Sequence, residues 1–321
     1  MATSLSNWGP DDFSPFTFGV KIHDRKSALC FAENLQLIPT WVRCPCLLKT
    51  PILPENDLRL GIMMARCRPS KPELCPGYRL KCIACKTSIS PVCGTIFDSR
   101  TSSIRCTLYL LYCWVDQIPV TKAALWSCVS IDIARDWYMC FREICEIVVG
   151  NSFIPIGGPG KSIYLYKCST EMRLLWNGVT MVRQPVRVIG GKCPENGEGF
   201  VVRIPDTTKE TLLPVTMLFI AQGSIIIAGD WSFLLQEEWQ RVGYIVKSPK
   251  SLQTKFNDIG NGLKKEKGEF CNWEDEDRYL CEKMYRKIFL DGLPTKGFEF
   301  MVFVNDVCKV YPGPYKRPLF L

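Results

Sequence analysis

Between residues 157 and 231, apolar residues fall into four short runs separated by glycine-rich or polar segments. Runs of this length that are rich in β-branched residues predict strands. The four runs are Ser162–Tyr166, Val182–Ile189, Gly199–Ile204 and Ser224–Ala228. Residues 193–198, between the second and third runs, are dense in turn residues and predict a hairpin. The fourth run is suited to a buried strand.

A helix is expected between the third and fourth runs. Thr207 is in position to be its N-cap, and Glu210 lies three residues further on, as in a capping box. The predicted order is therefore strand, strand, strand, helix, strand. This is the order of the first half of a ribonuclease-H-like fold, in which carboxylates on the first and fourth strands hold two metal ions for phosphoryl transfer. The sequence thus predicts a mixed α/β (α+β) protein.

Helical periodicity dominates residues 99–155. A helix is expected over Ser102–Asp116, a second from Pro119 to about Cys128, and a third over Ile131–Val149 with Ser130 as its N-cap. Two helices joined by a tight turn and followed by a longer one are typical of a helix-turn-helix, and a plain helical connector is the alternative. If the third helix docks in a DNA groove, the residues facing DNA are Ser130, Asp132 and Arg135.

Outside these regions the pattern predicts three further helices and a tail. The helices are Asp24–Leu35, Glu274–Lys287 and Thr295–Val310. Residues 1–24 lack periodicity and predict a loosely held tail. The resulting organisation is a tail (1–24), a cysteine-containing module (25–98), a helical domain (99–155), a strand-rich domain (156–291) and a C-terminal helix with a Pro-rich tail (292–321).

The composition favours an anionic partner and a reducing compartment. The 321 residues carry a net charge of +8, which suits nucleic acid, although a merely basic soluble protein is an alternative. The N-terminal residues show no signal-peptide pattern. Many of the 18 cysteines lie in apolar helical positions, which indicates reduced thiols inside the cell. The most apolar stretch, Leu212–Ala228, is interrupted by polar residues and does not suit a membrane span.

Two cysteine pairs predict a zinc ribbon, since paired thiolates on facing turns are how such a ribbon binds a tetrahedral zinc ion. The pairs are Cys44 with Cys46 and Cys82 with Cys85, and Cys67 and Cys75 are alternative ligands. A ribbon that has lost its metal and is held by packing is the competing hypothesis. Basic residues near the pairs are candidate phosphate contacts. These are Arg79, Lys81 and Lys86.

The ordered motifs of this chain resemble the Merlin-type DDE transposases and their bacterial insertion-sequence relatives. The resemblance spans about residues 26–310 and is most specific at 156–231. The motifs are Ile156–Lys161, Ile189–Cys193, Ile204–Pro214, Gly223–Ile227 and Trp231, together with Tyr78-Arg79-Leu-Lys-Cys82 in the ribbon. The resemblance implies a zinc ribbon, a helical region used in recognising transposon ends, a ribonuclease-H-like core, DNA as the partner, and a nuclear location.

The carboxylates that the family uses are missing from the matching positions. Tyr166, Gly229 and Gly260 stand where the resemblance places the three acidic ligands, and Lys167 puts a positive charge beside the first. A phenol titrates near pH ~10 and cannot replace a carboxylate. The expectation is therefore an inactive transposase that binds no Mg²⁺ and retains DNA binding. The alternatives are an active enzyme with displaced carboxylates at Asp206, Asp230 and Asp258, and a protein-interaction scaffold.

Lysines are concentrated between residues 247 and 267, where they could contact DNA or form a solvated loop. The candidate contacts are Lys247, Lys250, Lys255, Lys264 and Lys265. No small-molecule substrate is expected, and self-association into a homo-oligomer is left open by the sequence.

Overall fold

A computed structural model describes residues 13–40, 78–82, 86–98, 102–176, 181–229, 235–247 and 273–313. The chain divides into two compact units, one formed by Met1–Ile147 with Gly292–Leu321 and the other by Val148–Asp291. The expected mixture of helices and sheets is confirmed. Within the described ranges, no helix has the length and apolar character needed to cross a membrane.

The first unit is mainly helical. Its helices are α1 (Pro15–Lys21), α2 (Arg25–Asn34), α3 (Ile104–Val115), α4 (Val120–Ser127), the first part of α5 (Ile131–Ser152) and, at the other end of the chain, α9 (Lys296–Val310). Side chains of Asp24, Ser103 and Thr295 accept hydrogen bonds at the starts of α2, α3 and α9, which satisfies donors that a helix start leaves unpaired. The helices predicted at these places are confirmed.

An aromatic core holds these helices together. The Trp114 ring of α3 stacks on Phe303 of α9 with centroids 4.2 Å apart, and Phe141 of α5 meets Phe303 edge to face. Two residues earlier in α3, the ring centroid of Tyr112 lies 4.7 Å from that of Phe18 of α1. Each of these rings is almost completely buried. The C-terminal helix is therefore part of the core of this unit.

The expectation of a loose tail over residues 1–24 is wrong from residue 13 onward. Residues 15–21 form α1, and Ser14 and Thr17 make a reciprocal capping box at its start. Phe18 is completely buried, whereas Phe16 is 79% exposed. A helix of 7 residues is too short to show convincing periodicity in the sequence, and its stability comes from burying Phe18.

Helices α3, α4 and α5 follow each other as expected. Pro119 immediately precedes α4, and the hydroxyl of Ser130 accepts a hydrogen bond of 3.3 Å from the Ile133 amide at the start of α5. Between them Cys128 adopts a left-handed conformation with φ of 55°, which ends α4. The predicted N-cap at Ser130 is confirmed.

The second unit is built on a five-stranded sheet. Its strands are β4 (Ser162–Trp176), β5 (Met181–Lys192), β6 (Gly199–Ile204), β8 (Ile225–Ala228) and β9 (Ile245–Lys247), and their order across the sheet is β6-β5-β4-β8-β9. Strand β5 is antiparallel to both β4 and β6, whereas β8 is parallel to β4 and to β9. The sheet is therefore mixed, with only β5 reversed.

Smaller elements surround the sheet. These are the short strand pairs β1 (Leu80–Lys81) with β2 (Ser88–Ile89) in the first unit and β3 (Ile156–Gly157) with β7 (Ile220–Ala221) in the second, and the helices α6 (Lys209–Phe219), α7 (Gln236–Arg241) and α8 (Trp273–Tyr285), which continues as a π-helical turn (Arg286–Leu290). Helix α8 packs against β6, where Arg203 makes a bidentate ion pair with Asp277 at 2.5 and 2.6 Å.

The two faces of the sheet differ in burial. Ile163, Leu165, Ile226 and Ala228 point to one face and are at most 1% exposed. Tyr164, Ile225 and Ile227 point to the other and are half-buried, and Ile245 on the same side is 51% exposed. We call this side, at strands β4, β8 and β9, the open face. The expectation that Ser224–Ala228 is a buried strand therefore holds for only one of its faces.

Helix α6 begins one residue later than the sequence predicts. Its N-cap is Thr208, not Thr207, and neither threonine forms the predicted capping box with Glu210. Asp206 instead forms an Asx-turn just before the helix, because its carboxylate accepts hydrogen bonds from the Thr208 amide at 2.9 Å and from the Thr208 hydroxyl at 2.6 Å. The hairpin between β5 and β6 is confirmed, with Gly197 at a φ of 76° in its turn.

Candidate functional site

The register of the sheet brings two of the three predicted ligand positions together. Strand β4 pairs in parallel with β8, and the last paired positions are Leu165 and Ala228. Tyr166 and Gly229 each follow one residue later, so they lie next to each other on neighbouring strands. Gly260, the third position, lies outside the described residues.

At the first of these positions, the Tyr166 side chain packs against a glycine of the neighbouring strand. In the antiparallel pairing of β4 and β5, Tyr166 lies opposite Gly190. A β-carbon at residue 190 would lie 2.1 Å from the Tyr166 hydroxyl oxygen and 2.2 Å from Cζ, so only glycine leaves room for the ring. The hydroxyl itself is buried. The first ligand position is therefore filled by an aromatic side chain held against the neighbouring strand.

No carboxylate among the described residues stands at this point of the sheet. Asp206 follows β6, and the register places Ile204 at the end of β6 two strands across and three residues beyond Tyr166. The Cα atoms of Ile204 and Tyr166 are therefore roughly 14 Å apart, and Asp206 is further along the chain. A metal centre needs ligand oxygens within about 2.6 Å of the ion, so Asp206 is too distant to serve it. Asp230 and Asp258 lie outside the described residues.

Local hydrogen bonds lower the pKa of Asp206. The largest cause is the hydrogen bond from the Thr208 hydroxyl, and the Thr208 amide and the nearby Arg187 guanidinium act in the same direction. Arg187 also donates a hydrogen bond of 3.1 Å to the Pro205 carbonyl. These contacts assign Asp206 to the turn that precedes α6.

A second candidate site surrounds Cys82. Strands β1 and β2 form a hairpin in which the Cys82 amide donates to the Thr87 carbonyl at 2.9 Å and the Lys86 amide donates to the Cys82 carbonyl at 3.0 Å. Lys86 has a φ of 61°, a left-handed conformation that reverses the chain directly after Cys85. This arrangement fits the loop that presents two thiolates to zinc. Cys44, Cys46, Cys67, Cys75 and Cys85 lie outside the described residues, so the zinc site stays a prediction.

The candidate DNA-contacting residues differ in whether their side chains already bind other groups of the protein. Arg79 donates to the hydroxyl and carbonyl of Ser88, and Arg135 pairs with Asp132 at 3.1 Å. Lys81 is half-buried, while Lys86 and Lys247 are exposed, and these three lysines have no ion-pair partner among the described residues. Lys250, Lys255, Lys264 and Lys265 lie outside the described part of the chain.

A glycine-rich turn before β4 is fixed by a residue that the sequence did not single out. The Ser224 hydroxyl is fully buried, accepts from the Gly158 amide at 2.8 Å and donates to the Ala221 carbonyl at 2.6 Å. A β-carbon at Gly157 would lie 2.5 Å from the same hydroxyl. This contact sets the entry to β4 and hence the register of Tyr166 with Gly229.

Lys192 and Tyr164, beside and on the open face, were also missed, whereas Lys247 was among the predicted DNA contacts. Lys192 and Tyr164 lie opposite each other on β5 and β4, and Tyr164 lies opposite Ile227 on β8. The signal that could have identified Tyr164 is the pattern over Ile163–Tyr166, where aliphatic and tyrosine residues alternate.

Comparison with known proteins gives no assignment. No protein-family model matches the chain, and no curated protein matches it.

Proposed function

We propose that this chain is a DNA-binding protein derived from a Merlin-type DDE transposase, in which the metal-dependent DNA cleavage has been lost. The observation that carries the proposal is the position of Tyr166 beside Gly229. Both positions were identified from sequence motifs alone, yet they fall side by side on neighbouring parallel strands, as the first two ligands of a two-metal centre must.

The topology of the sheet supports the same origin. Numbered along the chain, its strands lie in the order third, second, first, fourth, fifth, and only the second is reversed. A helix, α6, connects the third strand to the fourth. This order agrees with the one expected for a ribonuclease-H-like core, which supports the proposed origin. Fold alone does not establish function, which is why the ligand positions and not the topology carry the proposal.

The residues at the ligand positions do not fit Mg²⁺. Magnesium in such centres is held by carboxylate oxygens, whereas Tyr166 is packed on Gly190 and Gly229 has no side chain. No catalytic step through a metal is therefore proposed for this chain.

Three features support retained DNA binding. The net charge is +8, exposed Lys86 and half-buried Lys81 flank Cys82 with no ion-pair partner among the described residues, and α3–α5 have the order of a helix-turn-helix. If zinc is bound, Cys82 would hold it together with Cys44, Cys46 and Cys85, and its contribution would be to stabilise the hairpin that carries both lysines.

One gel experiment tests both halves of this proposal. Supercoiled plasmid is incubated with the purified full chain and Mg²⁺ or Mn²⁺ at low salt, and half of each sample is deproteinised before electrophoresis. The proposal predicts retarded migration of the untreated sample and intact supercoils in the treated one. Absence of retardation would contradict DNA binding. Nicked circles that disappear with the substitution Asp230→Ala would instead establish an active enzyme with displaced carboxylates.

A further inference from the structure

One row of residues crosses four of the five strands, from β5 over the open face to the edge strand β9. Lys192 on β5 pairs with Tyr164 on β4, Tyr164 pairs with Ile227 on β8, and Ile227 pairs with Lys247 on β9. Directly opposed residues on neighbouring strands point to the same side of a sheet. A tyrosine and an isoleucine are therefore flanked by a lysine on each side, and the two lysine Cα atoms are roughly 14 Å apart, three strand spacings.

The side chains of this row are available to a ligand. Lys192 and Lys247 are exposed, and neither has an ion-pair partner among the described residues. Tyr164 is half-buried, and its side chain makes no hydrogen bond or ring contact within the described part of the protein. Ile245, two residues before Lys247 and on the same side of the sheet, is 51% exposed. The row is an apolar and aromatic surface between two uncompensated positive charges.

Two acidic residues, Glu195 and Glu198, lie in the hairpin after Lys192, and both are exposed. The Glu195 carboxylate accepts from the Ser162 amide at 2.9 Å and from the Cys193 thiol at 3.3 Å. These contacts lower the pKa of Glu195 and hold it at the start of β4. All charged residues of the row itself are lysines, so the row is complementary to a polyanion.

We infer that the open face is a binding platform for single-stranded DNA, with Tyr164 stacking on a base and Lys192 and Lys247 contacting phosphates on either side. A base can lie on a tyrosine ring only when it is not stacked inside a duplex, which selects an unpaired strand. Aromatic residues within a basic groove are how proteins bind single strands without sequence preference. This inference rests on the proposed DNA-binding function and adds single-stranded DNA as a second form of DNA that the protein binds.

The experiment measures binding of a fluorescein-labelled 12-nucleotide oligo-dT to the full chain by anisotropy, at several salt concentrations. Tyr164→Leu removes the ring but keeps apolar packing, and should weaken binding roughly 5- to 100-fold, the loss of one stacked base. Lys192→Ala and Lys247→Ala should each reduce the slope of log K against log salt by about 0.7. Lys167→Ala is the matched control, because Lys167 is an exposed lysine on the opposite side of β4, and it should leave the affinity unchanged.

A duplex of random sequence, measured in parallel, separates this inference from the proposed function. Binding of the duplex without binding of oligo-dT would overturn the platform and leave DNA binding standing. Binding of neither would overturn both. Equal affinity of wild type and both lysine variants for oligo-dT would also overturn the platform, and these variants test it even if Tyr164→Leu fails to fold. Tighter binding of oligo-U than of oligo-dT would contradict DNA as the ligand.

Discussion

At the scale of single residues, Tyr166 and Gly190 form a matched pair. The ring of Tyr166 occupies the volume that a β-carbon at residue 190 would need. The tyrosine therefore has a structural role in the sheet. Its removal would uncover Gly190, and while it is present no larger residue fits at position 190. Under the proposed origin, the position that holds the first acidic metal ligand in the transposases has a purely structural role in this chain.

The substitution Gly190→Ala should lower the free energy of unfolding by about 1–3 kcal/mol, the usual cost of forcing extra atoms into a packed site. In a Tyr166→Ala background the same change should cost much less, because the clashing ring is gone. Chemical denaturation of the four proteins in this double-mutant cycle measures the difference.

Gly150→Ala is the control for this cycle. Gly150 lies in α5 and a β-carbon there meets nothing within 4 Å. The change should be neutral or stabilising, since alanine favours helix. Equal costs of Gly190→Ala with and without the Tyr166 ring would show that the ring and the glycine are not coupled.

Asp206 illustrates how a carboxylate can be mistaken for a displaced ligand. Because its pKa is lowered in the folded protein, mainly by the Thr208 hydroxyl, its ionised form stabilises the fold above the unfolded pKa of about 3.9. That stabilisation is lost as the pH falls through the lower folded pKa. Asp206→Asn should therefore lower the melting temperature at pH 7, and the difference from wild type should shrink below about pH 4.

Thermal unfolding at several pH values measures this effect, with Asp136→Asn as the control at an exposed aspartate. A difference for Asp206→Asn that stays constant from pH 7 down to about pH 3 would contradict a stabilising role of the Asp206 carboxylate in the turn before α6.

At the scale of elements, helix α1 shows how a short segment is held by one side chain. Phe18 is completely buried among rings of α2, α3 and α9, including Phe31, Tyr112 and Phe300. Phe18→Ala should destabilise the first unit by about 3–5 kcal/mol. Phe16→Ala, in the same helix at 79% exposure, should change stability by less than about 0.5 kcal/mol.

Denaturant unfolding followed by circular dichroism compares the two variants. Equal stabilities of Phe18→Ala and Phe16→Ala would show that α1 contributes nothing to the core.

Long periodic elements were predictable from the sequence. Helices α2, α3, α4, α5, α8 and α9 and strand β6 lie within a few residues of their predicted positions, because each has a clear period or a cap residue. Strands β4 and β5 extend well beyond the predicted Ser162–Tyr166 and Val182–Ile189, because pairing with a neighbour can extend a strand through residues of low propensity. Helix α1 was missed because its stability depends on a distant core.

The site was predictable only in part, for a similar reason. Motif spacing identified Tyr166 and Gly229, and strand pairing made them neighbours. The packing of Tyr166 on Gly190 and the row from Lys192 to Lys247 depend on register across several strands. A single sequence does not specify register directly, since partners distant in the chain decide it.

At the scale of the whole molecule, the proposed DNA-binding elements and the former ligand positions of the proposed transposase origin lie in different units. The first unit carries α3, α4, the first part of α5 and the Cys82 hairpin with Lys81 and Lys86. The second carries the sheet with Tyr166 and Gly229. DNA affinity that depends on several lysines is electrostatic, so it must fall with salt as counterions return to the phosphates.

The most direct test is the salt dependence of duplex binding, measured by fluorescence anisotropy on the full chain with its zinc content determined. With six or more phosphate contacts, affinity should fall on the order of 10³-fold between 50 and 200 mM salt. The double substitution Lys81→Ala with Lys86→Ala should flatten the slope by about 1.8. Lys309→Ala, whose ammonium already pairs with Asp306 at 2.6 Å, should leave it unchanged. No duplex binding at low salt, or binding that does not respond to salt, would contradict the account.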